Sequence, residues 1–160
     1  LVVSPGTTNV LTDAAIYSPQ YDATNGLEDA KGVIFSEGQI LLSGTGILRI
    51  NGVCAEKHGV CSDDYVRVLD GDLRVSMTQR KSDGVHARDR FRMDGGRLSI
   101  TLAQKGDGID ADDDGAIVIL GGQICVNLAT NDSRGIKCGT NSFDIAGGAI
   151  RVASTSGSQP

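Results

Sequence analysis

Two glycine-led motifs alternate along this chain at a nearly constant period, and few folds accommodate such a pattern. One is Gly-[Ile/Val]-x-small, at Gly59-Val60-Cys61-Ser62, Gly84-Val85-His86-Ala87, Gly108-Ile109-Asp110-Ala111 and Gly135-Ile136-Lys137-Cys138. Its glycines are 25, 24 and 27 residues apart. The other is Gly-x-[Leu/Ile]-x-[Ile/Val], led by Gly46, Gly71, Gly96, Gly122 and Gly148 at intervals of 25, 25, 26 and 26. A third alternating segment precedes the later glycines of this motif: Val66-Arg67-Val68, Phe91-Arg92-Met93, Ile117-Val118-Ile119 and Phe143-Asp144-Ile145. Ile40-Leu41-Leu42 is its earlier counterpart, displaced by one residue through Ser43-Gly44-Thr45. Val33-Ile34-Phe35-Ser36 is an earlier, weaker copy of the first motif.

Each repeat therefore holds three short strands with period-two alternation and no helical pattern between them. A leucine-rich repeat would carry its own Leu/Asn signature, and a propeller blade would need about 40 residues or more. The period predicts an all-β, right-handed parallel β-helix: a solenoid of about five to six coils, each of about 25 residues and three strands, forming a single domain over residues 1–160. Stacked coils lie about 4.8 Å apart and turn equivalent side chains into ladders. Leu48/Leu73/Leu98/Ile124/Ile150 and Ile50/Val75/Ile100/Val126/Val152 read as core, and Ser36/Ser62/Ala87/Ala111/Cys138 as a tight corner. Because each coil covers its neighbours, coil number rather than chain length should set stability.

Composition agrees. The 22 glycines and 39% hydrophobic residues suit short strands between tight turns, and that apolar content argues against disorder. A formal net charge of −5 argues against a nucleic-acid partner. No stretch approaches the roughly 20 apolar residues of a transmembrane segment. The opening Leu1-Val2-Val3-Ser4 does not read as a signal peptide, as expected of a trimmed or a mature fragment.

The order and content of the motifs resemble a family of secreted bacterial carbohydrate-binding domains with a polysaccharide-lyase-like β-helix. The resemblance is carried by Gly6-Thr7-Thr8-Asn9-Val10-Leu11-Thr12-Asp13, by Val33-Ile34-Phe35-Ser36-Glu37-Gly38, and by the successive Asp-Gly-Ile-x-Ala-x-Asp and Gly-Gly-x-Leu-x-Ile units. It implies a calcium-containing β-helix, extracellular or at the bacterial cell surface, that binds plant-type polysaccharides such as polygalacturonate or cellulose. This chain departs from the pattern at His58 and Arg134, which stand where the repeat has aspartate before Gly59 and Gly135.

Aligned coils place Asp64, Asp89 and Asp113 at one position, Asp63 and Asp112 at the one before, and Asp83 and Asp107 at another. Carboxylates stacked at coil spacing repel one another. Solvent screening, raised pKa values or a bound cation would relieve this, and calcium, which takes six to eight oxygens, is the natural cation. Asp63, Asp64, Asp83, Asp89, Asp107, Asp112 and Asp113 are thus the candidate calcium ligands; the alternative is that they are exposed turn aspartates.

Arginine concentrates in the central coils. Arg49 and Arg74 face outward on one sheet, Arg67 and Arg92 on another, and Arg88 lies near them. Guanidinium forks match carboxylates, so these five are candidate contacts for an acidic polysaccharide; the alternative is surface ion pairing. Three tyrosines and no tryptophan give little material for a flat cellulose platform.

The leading expectation is therefore non-catalytic, calcium-assisted binding of an acidic polysaccharide. A pectate-type lyase remains as an alternative. Its candidate bases are Lys137, Arg88 and His86, of which His86 and Lys137 flank Asp110 in the outward row Cys61/His86/Asp110/Lys137; the alternative is an ordinary solvent-facing strand edge, and fold resemblance alone does not transfer activity. A purely structural solenoid of a cell-surface adhesin is the third reading. Among the cysteines, Cys54 and Cys61 flank one turn and could close a loop disulfide if the chain is secreted, a matter that geometry and not sequence decides; Cys125 should point outward, and Cys138 should be an apolar filler.

Overall fold

The computed structural model describes residues 1–17, 20–22, 26–28 and 30–155. Three parallel sheets run along its length. The first contains β1 (Thr8–Thr12), β6 (Ile47–Gly52), β9 (Asp72–Met77), β12 (Arg97–Leu102), β15 (Gln123–Leu128) and β18 (Ala149–Ser154). The second contains β4 (Gly32–Ser36), β7 (His58–Ser62), β10 (Val85–Ala87), β13 (Asp107–Ala111) and β16 (Arg134–Lys137). The third contains β5 (Ile40–Leu42), β8 (Tyr65–Val68), β11 (Arg90–Met93), β14 (Ala116–Ile119) and β17 (Phe143–Ile145). A two-stranded antiparallel ribbon, β2 (Gln20–Asp22) with β3 (Gly26–Glu28), interrupts the first coil. This is a parallel β-solenoid of three strands per coil, and the periodicity signalled neither the ribbon nor β1. No helix among the described residues is long and apolar enough to cross a membrane.

The ladders have the expected register. Leu48, Leu73, Leu98, Ile124 and Ile150 pair in succession, as do Ile50, Val75, Ile100, Val126 and Val152. Ser36, Ser62, Ala87 and Ala111 form the small corner. The core is tightest in the middle coils, where Phe91, Leu98, Ile100, Ile109 and Ile117 are fully buried. At the final coil, Phe143 and Ile145 sit in inward positions yet are 47% and 56% exposed, since no further described coil covers them.

The two glycine motifs serve different ends. Gly71, Gly96, Gly122 and Gly148 have φ between 76° and 99°, a left-handed turn that a side chain disfavours. In the first coil that duty passes to Gly44 (φ 95°), which explains the one-residue displacement there. Gly59, Gly84, Gly108 and Gly135 instead bring the second sheet's backbone against the first sheet's core. A Cβ at Gly108 would lie 2.4 Å from Gly135 O and 2.6 Å from the Val126 side chain.

Candidate functional site on the outer face of the second sheet

From β7 onward each coil of the second sheet places two side chains on its outer face. One column runs His58, Asp83, Asp107, Arg134; the other runs Cys61, His86, Asp110, Lys137. Alternation predicts the outward direction of the second column but not its burial. Cys61 is fully buried, and Asp110 and Asp107 are each 6% exposed, because adjoining columns cover one another.

The first column is a hydrogen-bonded ladder. His58 Nδ1 accepts Asp83 N–H at 3.1 Å, Asp83 Oδ1 accepts Asp107 N–H at 2.6 Å, and Asp107 Oδ1 accepts Arg134 N–H at 3.0 Å. Every member but the last supplies an acceptor to the coil above it. This explains His58, which read in sequence as a loss: imidazole nitrogen replaces carboxylate oxygen as the acceptor. Arg134 has no acceptor atom, and it turns back to bind Asp107, with Nη2 3.0 Å from Oδ2.

Buried carboxylates require countercharge. Asp110 lies 3.0 Å from Lys137 Nζ, and Asp83 Oδ2 lies 3.5 Å from His86 Nδ1. The two imidazoles stack with centroids 4.6 Å apart. Burial works against ionisation of Asp83, yet its hydrogen-bond partners, His86 and the Asp107 N–H among them, outweigh it and hold this carboxyl well below the usual range. Burial likewise opposes charge on His86, but Asp110, Asp83 and Asp112 push it up to about 10. Asp107 is raised by burial and by the neighbouring Asp83, with Arg134 pulling the other way. For Lys137, desolvation is overcome by Asp110 and the amine is held above its ordinary value. Of the three candidate lyase bases, His86 and Lys137 are thus kept protonated near neutrality, the wrong state to abstract a proton.

Where the second sheet meets the third, the corner changes width. Two residues, Asp63 and Asp64, separate β7 from β8, and two, Arg88 and Asp89, separate β10 from β11; four, Asp112 to Gly115, separate β13 from β14. The wider corner ends the simple Asp64/Asp89/Asp113 ladder. It opens a cleft of about 550 Å³ lined by Arg88, Asp89, Asp112, Asp113, Asp114 and Lys137. The seven candidate calcium ligands therefore divide. Asp83 and Asp107 join Asp110 in the buried cluster. Asp89, Asp112 and Asp113 line the cleft, Asp63 is bound by Lys31 at 2.6 Å, and Asp64 lies one coil away. The cleft acids present only oxygen donors, which suits a hard cation such as calcium; the buried cluster adds an imidazole nitrogen and three basic groups, which does not.

The five candidate arginines also divide. Arg67 and Arg92 share Asp94, at 2.5 and 2.6 Å, and Arg74 holds Asp72 at 2.5 Å. Arg49 stands exposed beside Arg74 on the first sheet, and Arg88 alone of the five lines the cleft. His58 and Asp114 were not among the sequence candidates, and Asp110 entered only as a member of the outward row with His86 and Lys137. Asp114 could have been found by comparing corner lengths, since the insertion is visible there. The four cysteines are free thiols, so Cys54 and Cys61 do not form the suggested disulfide; burial, helped by Asp63, pushes the Cys61 thiol up to about 12.

The coil geometry and a charged outer face define a β-solenoid whose polar chemistry lies outside its core. A model of the family described as carbohydrate-binding domain-containing protein matches residues 1–160, and the chain belongs to that family. No curated protein matches it. Among solved structures it resembles the polysaccharide lyase-like protein from C. thermocellum (gadolinium derivative), with a TM-score of 0.65 and 19% identity. The match covers 98% of this chain and 63% of that one, so this chain spans under two thirds of its neighbour's length. At that identity the likeness concerns the fold.

Proposed function

We propose that this chain is a non-catalytic module that binds an acidic polysaccharide of the polygalacturonate type, with calcium bridging protein and glycan, outside the cell or at the bacterial surface. Family membership supports carbohydrate as the ligand. The observation that carries the finer reading is the cleft, where Arg88 and Lys137 stand among four aspartates in an open space between coils. A uronate carboxylate would pair with Arg88 in bidentate fashion, and Asp89, Asp112 and Asp113 would hold a calcium ion able to share its remaining positions with the glycan. Arg67, Arg74 and Arg92 already have carboxylate partners, so they contribute less.

Retention on immobilised polygalacturonate, measured with calcium and with chelator, tests this. Binding should weaken by about tenfold or more with chelator, and similarly in Arg88→Ala and in Asp112→Asn/Asp113→Asn. Retention unchanged under all three conditions contradicts the proposal.

A further inference from the structure

Arg88 and Asp89 line the cleft, and the next residue, Arg90, begins β11 on the third sheet. Its side chain points outward, because Phe91 and Met93 of the same strand alternate with it and are buried. In register with Arg90 on the preceding coil stands Tyr65, the first residue of β8, outward beside the buried Val66 and Val68. Adjacent strands lie about 4.8 Å apart, so the phenol ring and the arginine stem are neighbours. On the other side of Arg90 the register partner is Ala116, whose methyl group is too short to cover it.

The protein itself uses neither polar group. Among the described residues, the Arg90 guanidinium and the Tyr65 hydroxyl have no hydrogen-bond or ion-pair partner, and no cation lies over the Tyr65 ring. The next outward pair on the same sheet differs, since Arg67 and Arg92 both bind Asp94. Arg90 is exposed and Tyr65 partly so. In a chain of net charge −5, an exposed guanidinium that finds no carboxylate of its own is open to one from outside.

We infer that Arg90 and Tyr65 form a second uronate subsite, joined to the cleft through Asp89. The subsite presupposes that the cleft holds an acidic glycan. A uronate unit carries a carboxylate at one edge and an apolar C–H face. The guanidinium pairs with the first in bidentate fashion, and the tyrosine ring packs on the second. The phenol hydroxyl donates to a sugar oxygen. The glycan thus leaves the cleft past Arg88, crosses the corner and continues onto the third sheet.

Digalacturonate and hexagalacturonate, each with calcium, provide the test, because only the longer one can fill the cleft and reach this subsite together. Hexagalacturonate affinity should fall about tenfold in Arg90→Gln and about fivefold in Tyr65→Ala, with digalacturonate affinity unchanged in both. The Tyr65 ring signal of the unaltered, isotope-labelled chain should shift with hexagalacturonate in NMR. A ring signal fixed at saturating hexagalacturonate overturns the subsite, as does hexagalacturonate affinity unchanged in both variants. An equal loss for both lengths also overturns it, since the two residues would then act on the cleft or on folding. These three outcomes leave the cleft's own role intact. Failure of hexagalacturonate to bind the unaltered chain instead removes the cleft reading and the subsite with it. If Tyr65→Ala does not fold, the ring signal of the unaltered chain still decides.

Discussion

The first and second sheets are built from the same coils at the same period, yet they differ in what the repeat preserves. In the first sheet every coil from β6 onward places Leu or Ile in one ladder and Ile or Val in the next. On the outer face of the second the residue varies from coil to coil, Asp83 and Asp107 alone being alike: His58, Asp83, Asp107, Arg134 in one column and Cys61, His86, Asp110, Lys137 in the other. Uniform ladders maintain the fold, because any coil's aliphatic side chain packs equally well on the next. The varied columns form a set of unlike charges that must be mutually satisfied, so their parts are not interchangeable.

That contrast can be broken by mutation, and the largest effect should come from the uniform side. Ile100 is fully buried in the middle of its ladder, and Ile100→Ala should cost about 4 kcal/mol in denaturant unfolding. Next comes the varied side: Asp83→Ala removes the carboxylate facing both imidazoles and the acceptor of Asp107 N–H, and should cost about 3 kcal/mol. An equal loss at an exposed position such as Asp70 would erase the distinction between a buried network and ordinary surface charge.

A subtler difference should appear with pH in the presence of chelator. His86 is raised from 6.5 to about 10 in the folded chain, so its contribution is complete below about 6.5 and disappears as pH rises towards 10. Asp83 is depressed, so its contribution is present above the ordinary aspartate range and disappears on acidification. Thermal melts from pH 6 to 10 should therefore show declining stability, and His86→Gln should flatten that decline. The smallest effect belongs to the outer face of the first sheet. Arg74→Ala breaks a partly exposed pair with Asp72 and should leave the denaturant midpoint almost unchanged.

The same contrast explains how much was legible in the sequence. Repeated aliphatics declare their register, because a one-residue slip would turn the whole set outward. β1 escaped notice because Asn9 occupies the position that later coils give to leucine, at a strand whose residues are all exposed. Aspartates could be aligned by counting, so Asp83 and Asp107 were correctly placed together. Alternation could not reveal that neighbouring outward side chains bury Asp110, nor that His58 serves as an acceptor in an aspartate column. Counting also could not show that Arg67, Arg74 and Arg92 would find carboxylates on their own faces, while Arg88 would line the opened corner.

The central claim is that this face recognises glycan charge, and methyl esterification tests it most directly. Titration of the isotope-labelled chain with polygalacturonate, and separately with its fully methyl-esterified form, should be followed by amide NMR. The free acid should shift Arg88 and Asp112 to Asp114, and the ester, which lacks the carboxylates, should leave them unmoved. Equal shifts with both polymers, or shifts confined to another face of the solenoid, would contradict the account.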